Sequence, residues 1–182
     1  MVEKRLAETE IGKRKALNED KVIIRDIEVD KNQSQITIRE ISDRPGLASL
    51  LFDALGKEKI VVDVIIQNVS HQGLTDITFT VDKKDAEKAE EITKKVAKEI
   101  EAKGVERKDN IAKVSIVGLG MRNHFGTAGK MFSILADENI NIYAISTSEV
   151  KISCLIDEDK AEEAKKALGR AFEKDEEIEI ER

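Results

Sequence analysis

Residues 36–66 read ITIREISDRPGLASLLFDALGKEKIVVDVII, and residues 114–146 read VSIVGLGMRNHFGTAGKMFSILADENINIYAIS. From the glycine onward the two stretches run in step: Gly46 with Gly126, Phe52 with Phe132, Leu55 with Leu135, Ile60 with Ile140, Val62 with Ile142 and Ile65 with Ile145. A second pair follows, DITFTVDKKDAEKAEEI (76–92) and KISCLIDEDKAEEAKKAL (151–168). The chain is therefore a duplication, and its period must be settled before any motif is read. Each copy reads strand, loop, helix, strand, strand, helix.

In the first copy Asp43-Arg44-Pro45-Gly46 breaks a strand and opens a helix. Leu47, Leu50, Leu51, Ala54 and Leu55 then fall on one helical face. Val62, Val64 and Ile66 alternate as the next strand, and His71-Gln72-Gly73 turns into a third at Ile77, Phe79 and Val81. Ala89, Ile92, Val96 and Ile100 stripe a second helix that ends near Gly104, and residues 105–110 read as a short edge strand. The second copy repeats this through Ala128, Met131, Phe132 and Leu135, then Ile142–Ile145, Ile152–Ile156, and Ala161, Ala164, Leu168 and Phe172. Such a unit lays two helices on one face of an antiparallel sheet: an α+β, ferredoxin-like βαββαβ fold, built twice.

That fold needs a fourth strand per unit. The first copy has residues 105–110; the second has none after its last helix. The run Val22–Val29 has no unit of its own, so it is expected to complete the second, with the first unit inserted in between. The boundaries expected are a tail over 1–21, a first domain over 34–110, a second formed by 22–33 plus 111–173, and a charged tail over 174–182. Asp30–Gln33 reads as a turn joining two paired strands. In the last tail, Ile178 and Ile180 alternate with charges, as a strand pairing with an edge would.

Composition narrows the function. Of 182 residues, 40% are hydrophobic and 37% charged, so there is enough apolar material for real cores. A net charge of −6 without a basic stripe, with only 3% aromatic residues, argues against a nucleic-acid partner. No apolar run approaches the ~18 residues of a membrane span, and the N-terminus lacks a signal-peptide core; a soluble, cytoplasmic protein is expected. The single cysteine, Cys154, sits in the alternation Ile152-Cys154-Ile156 and reads as a buried small hydrophobe.

Catalytic signals are few. His71 and His124 lie in loops without metal-ligand neighbours, and the acidic residues mostly occupy helix surfaces. No phosphate-binding loop, dinucleotide fingerprint, nucleophile elbow or zinc spacing occurs. Gly118-Leu119-Gly120 lacks the remaining glycine and the acidic residue of a nucleotide fold. No catalytic residue, cofactor or metal is expected. The two strand-to-helix loops, 43–46 and 123–126, each present a helix N-terminus, whose free N–H groups and partial positive charge suit a carboxylate. Gln67-Asn68 and Thr147-Ser148 at the ends of the following strands can add amides, hydroxyls and carbonyl acceptors for an ammonium. A free amino acid needs both kinds of partner; ordinary helix capping beside polar strand ends gives the same pattern.

Three runs sharpen this: QNVS (67–70), GMR (120–122), and ISTSE (145–149) followed by KIS (151–153). With the loops around them, residues 22–173 closely resemble the regulatory region of aspartate kinases, which carries paired ACT domains. The resemblance implies a non-catalytic regulatory subunit or fragment, the kinase catalytic domain being absent from this sequence. It implies feedback inhibition of ATP-dependent phosphorylation of L-aspartate, the first step toward lysine, threonine and methionine. Threonine, lysine or both would bind at interfaces between the ACT domains of a homodimer, with an aspartate kinase catalytic subunit as partner. It also implies that the N-terminal strand completes the second domain. Carried over by position, the first effector site is Asp43, Pro45, Gly46 and Ala48 with Gln67 and Asn68. The second is Gly126, Ala128, Asn141, Ile142 and the segment Ser146-Thr147-Ser148-Glu149. Relatives usually have His-Pro-Gly where this chain has His124-Phe125-Gly126, which loosens the turn; Gly129 in the helix start costs ~1 kcal/mol relative to Ala. Two other readings remain: a free-standing ACT amino-acid sensor with a non-kinase target, and a small acyl-phosphate hydrolase using Arg44 and Asn68. Lys13–Lys15 could touch the catalytic subunit or be a solvated linker.

Overall fold

The computed structural model describes residues 23–69, 73–119 and 126–177. His71, His124, Phe125, Lys13–Lys15 and the tail isoleucines lie outside the described residues. The elements run β1 (Ile23–Ser42), α1 (Leu47–Lys57), β2 (Val62–Val69), β3 (Leu74–Asp82), α2 (Ala86–Glu99), β4 (Gly104–Leu119), α3 (Thr127–Asp137), β5 (Ala144–Thr147), β6 (Lys151–Asp157) and α4 (Ala161–Glu177). A 3₁₀ turn, Lys83–Asp85 and Glu158–Lys160, precedes α2 and α4 at the same place in both copies.

The described residues divide into two compact units: those within Asp30–Lys113 together with Asp157–Asp159, and those within Val114–Ile156 together with residues 23–29 and 160–177. The first-repeat unit has strand order β2-β3-β1-β4, and the second β5-β6-β4-β1. Both are the same arrangement, two hairpin strands beside the strand that opens the repeat, with the added strand last. The printed ladders, β1 with β3, β2 with β3 and β5 with β6, are antiparallel. Residues 23–29 of β1 supply the second unit with the strand its own repeat lacks.

Two expectations change. Asp30–Gln33 is no turn: β1 continues for 20 residues from Ile23 to Ser42. The Asp30 carboxylate accepts from the Asn32 N–H (2.9 Å) and the Gln33 side-chain amide (2.7 Å), so these turn-forming residues satisfy one another within an extended backbone. Residues 105–110 likewise are not a separate short strand but part of the 16-residue β4. Both differences have one cause: a chain serving two units with one strand shows no break where a boundary would be read.

Core formation follows the alternation. In the first unit Ile36, Ile38, Ile77, Phe79 and Val81 meet Leu47, Leu51 and Leu55 of α1 and Ala89 and Val96 of α2. Phe52 stands edge-on to Phe79, with centroids 5.6 Å apart and planes at 77°. In the second unit Val114, Ile116, Ile152, Cys154 and Ile156 meet Met131, Leu135, Ala164, Leu168 and Phe172. Burial pushes the Cys154 thiol up to about 12, so it stays a neutral, inert hydrophobe near neutral pH. Leu50, expected on the core face, is 41% exposed, because the buried stripe centres on Leu51 and Leu55 and Leu50 lies about a third of a turn round.

The opposite sheet face carries a second duplicated device. Thr37 and Thr78 share a hydroxyl hydrogen bond at 2.9 Å, and Ser115 and Ser153, the same positions one repeat later, share one at 2.8 Å. Thr80 is fully buried and its hydroxyl accepts the Val64 N–H at 3.1 Å, where β2 slips register against β3.

Leu55 and Leu135 occupy equivalent, completely buried positions. Truncation of either to alanine is expected to cost ~2–5 kcal/mol of unfolding free energy. Denaturant titration of the two variants checks this, and a loss below ~1 kcal/mol in one would mean that its core collapses around the gap.

Candidate functional site

Each repeat begins its first helix behind a glycine in the left-handed conformation. Gly46 has φ 98° and ψ −18°, and Gly126 has φ 95° and ψ −14°. L-residues rarely adopt such angles, and a Cβ there would meet nothing within 4 Å, so the demand for glycine comes from the backbone alone. Among the described residues neither helix has a side-chain cap. The first helical bonds run from Leu50 N–H to Gly46 C=O (3.0 Å) and from Lys130 N–H to Gly126 C=O (2.8 Å). The amides of Leu47, Ala48 and Ser49, and of Thr127, Ala128 and Gly129, precede those bonds and have no intrahelical acceptor. No acidic residue occupies the first turn of either helix to neutralise its dipole.

At the first site the approach to the helix is fixed by the sheet. Asp43 donates its N–H to Gly73 C=O at 2.8 Å, and Arg44 donates to Ser42 C=O at 3.0 Å. Gly73 precedes β3, so the loop is tied to the β2–β3 hairpin. Within β2, Gln67 pairs with Ile77 and Asn68 with Asp76. The buried Thr75 donates its hydroxyl to Asn68 C=O at 2.5 Å, which fixes the strand end. Because β2 returns parallel to β1 after α1, its C-terminal end lies on the same side of the unit as the loop. Asp43, Pro45, Gly46, Gln67 and Asn68 are all exposed, and Ala48 is half-buried against the core. Alternation points Gln67 and Asn68 to opposite sheet faces, so one ligand cannot meet both side chains from the same side.

The second set is split. Gly126, Ala128, Ser146 and Thr147 sit at the helix start and along the edge strand β5, where Ser146 pairs with Ser153 and Thr147 with Ile152. Asn141 and Ile142 lie before β5 begins. Ile140 donates its N–H to Leu135 C=O at 2.8 Å, which ties the residue before Asn141 to the C-terminal end of α3, a helix about 16 Å long at 1.5 Å per residue. A single unit therefore does not bring Asn141 to the α3 N-terminus. Ile142 is half-buried against the core, and Asn141 is exposed. Sequence reasoning missed Thr75 and the charge cluster of Arg39, Glu40 and Asp76 beside the first loop. The signal was present: Ile36, Ile38 and Ile41 break the two-residue period just before the loop.

The ACT domain family model matches residues 36–96 and 114–172, the two repeats in turn. The chain belongs to the ACT-domain family. Among curated proteins it is 48% identical over 153 residues to an aspartate kinase of Pseudomonas fluorescens, covering 84% of this chain and 37% of that protein. The chain thus spans a little over a third of the curated relatives it matches. Among solved structures it resembles a chain of the aspartokinase alpha and beta subunits (44% identity, TM-score 0.78), covering 83% of this chain and 99% of that one. It also resembles the ligand-free regulatory subunit of aspartate kinase from Thermus thermophilus (38% identity, TM-score 0.78), covering 82% of this chain and 98% of that one. The paired α+β units are therefore tandem ACT domains of the aspartokinase regulatory type. No helix among the described residues is long and apolar enough to cross a membrane, and no cluster of His, Cys, Asp and Glu among them is placed to hold a metal ion.

Replacing Gly46 or Gly126 with alanine forces a side chain into left-handed backbone, and each change is expected to cost ~1–2 kcal/mol without any clash. Thermal and denaturant unfolding measure it. Unchanged stability would mean that the loop rebuilds into an ordinary N-cap.

Proposed function

We propose that this chain is a regulatory, non-catalytic part of an aspartate kinase that binds threonine, lysine or both at ACT-domain interfaces and transmits feedback inhibition. The observation that carries the reading is the pair of uncapped helix N-termini behind left-handed glycines. Three unpaired N–H groups and a positive helix end are chemically matched to the carboxylate of a free amino acid. At the first site the exposed Asp43 carboxylate and the C=O groups at the end of β2 offer acceptors for the ammonium. Similarity to aspartokinase regulatory subunits over nearly their whole length supports the kinase as the regulated enzyme.

The split of the second set supports a homodimer. Within their own units β2 and β5 are edge strands, and Ile65 and Ile145, at matching positions, are 52% and 45% exposed. An exposed apolar edge invites a further strand. Antiparallel association of β5 with the same strand of a second copy would carry that copy's Asn141 end toward the Thr147 end of the first. Residues that one unit keeps apart would then close on a single ligand. Each effector would bridge two copies and stabilise one dimer arrangement over another. Only that differential affinity can alter catalysis elsewhere, and a tenfold effect needs about 1.4 kcal/mol.

Calorimetric titration with threonine, lysine and methionine tests the reading. Threonine or lysine should bind, and Asp43→Ala and Gln67→Ala should each weaken binding about tenfold or more. Unliganded stability should move by less than ~0.5 kcal/mol, as for surface changes. No heat from any of the three amino acids, or undiminished affinity in both variants, would remove the assigned site.

A further inference from the structure

The first loop sits one step beyond an irregularity in β1. Ile38 faces Ile77, but Ile41 faces Thr75, so Arg39 and Glu40 together oppose the single residue Asp76. This is a β-bulge, and Glu40 takes left-handed backbone at φ 50°. The Asp76 carboxylate straddles it. One oxygen accepts the Glu40 N–H at 2.8 Å, and the other accepts from the Arg39 guanidinium at 2.8 Å. The guanidinium's second arm donates to Glu106 of β4 at 2.8 Å. Lys103 donates its N–H to Arg39 C=O at 3.0 Å and pairs its ammonium with Glu40. These side chains line a hollow of about 360 Å³, yet each charge already has an opposite partner. Such a hollow offers a ligand nothing free, and reads as a latch.

What the latch controls lies downstream. A strand that slips by one residue turns every later side chain to the other face. With the bulge in place Ile41 returns to the core, Ser42 pairs with Leu74, and Asp43 delivers its N–H to Gly73. Without it, each of those would be one residue out. The second repeat has no counterpart: Val117, Gly118 and Lys151 stand where Arg39, Glu40 and Asp76 do. There Gly118 donates its N–H to Val150 C=O at 2.9 Å, and Lys151 pairs with Glu28 at 2.6 Å.

We propose that Asp76, with Arg39, is the positioning residue of the first effector site, holding the bulge that seats Asp43 and the α1 N-terminus. The proposal rests on the effector reading above, and it makes the two repeats unequal: the first carries the Asp76–Arg39 clamp, and the second has Lys151 and Val117 in those places. The hydrogen bond from the Glu40 amide holds the Asp76 carboxyl below its ordinary range, against desolvation and with help from Arg39. Its contribution is present above the unfolded pKa and is lost as pH falls through the lower folded value, so the latch opens only in acid.

Amide hydrogen exchange of the unliganded, full chain tests this without any ligand. In Asp76→Ala the Asp43 amide should exchange about tenfold faster or more, while Lys130, at the start of α3, should keep its rate. Asp76→Asn retains an acceptor for the Glu40 N–H and should fall between. Threonine titration of the same proteins should show a weaker affinity in the same order. An Asp43 amide indifferent to Asp76→Ala overturns the proposal. So does equal acceleration of Asp43 with the core amides of Phe79 and Val81, which would make Asp76 a general stabiliser. If no amino acid binds the wild type, the effector reading fails, while the exchange rates still decide whether Asp76 holds the loop.

Discussion

The proposed amino-acid site depends on a helix that starts without a cap. Ordinarily a serine, threonine or aspartate folds back to satisfy the first amides of a helix. Here a glycine in left-handed backbone takes that place twice, at Gly46 and Gly126, and among the described residues no side chain caps the helix. Leaving three donors unpaired is a cost that an ordinary scaffold avoids. An exposed helix start can meet it with water, and an amino-acid carboxylate would do so with better geometry and opposite charge.

The sheet makes this starting point reproducible. Isoleucines facing the helices and paired hydroxyls facing away recur in both units, so each copy holds its opening strand from both sides. Duplication has kept the helix start while changing its support. The first copy braces its loop with a bulge clamped by Asp76 and Arg39, and the second has glycine and lysine there.

Much of this was legible in the residues. The register of the repeats, the core stripes through Leu51, Leu55 and Leu135, and the glycines at the helix starts follow from periodicity and turn chemistry alone. The family followed from loop and strand motifs, which the match over both repeats shows. The Asp30–Gln33 segment was misread because turn residues can satisfy one another inside a strand, and because one strand serves two units. The separation of Asn141 from Gly126 was invisible in a list of positions, since nearness along a motif says nothing of which end of a strand a residue occupies. The bulge was written in the three-residue step from Ile38 to Ile41, but its clamp joins residues 37 positions apart and appears only in three dimensions.

The most direct measurement is a nitrogen–proton NMR titration of the whole chain with threonine, followed amide by amide. If a free amino acid is held by uncapped helix starts, the largest shifts will fall on Leu47, Ala48 and Ser49, on Thr127, Ala128 and Gly129, or on both sets. Shifts confined to other surfaces, with these amides unmoved at saturation, would contradict the account at its root.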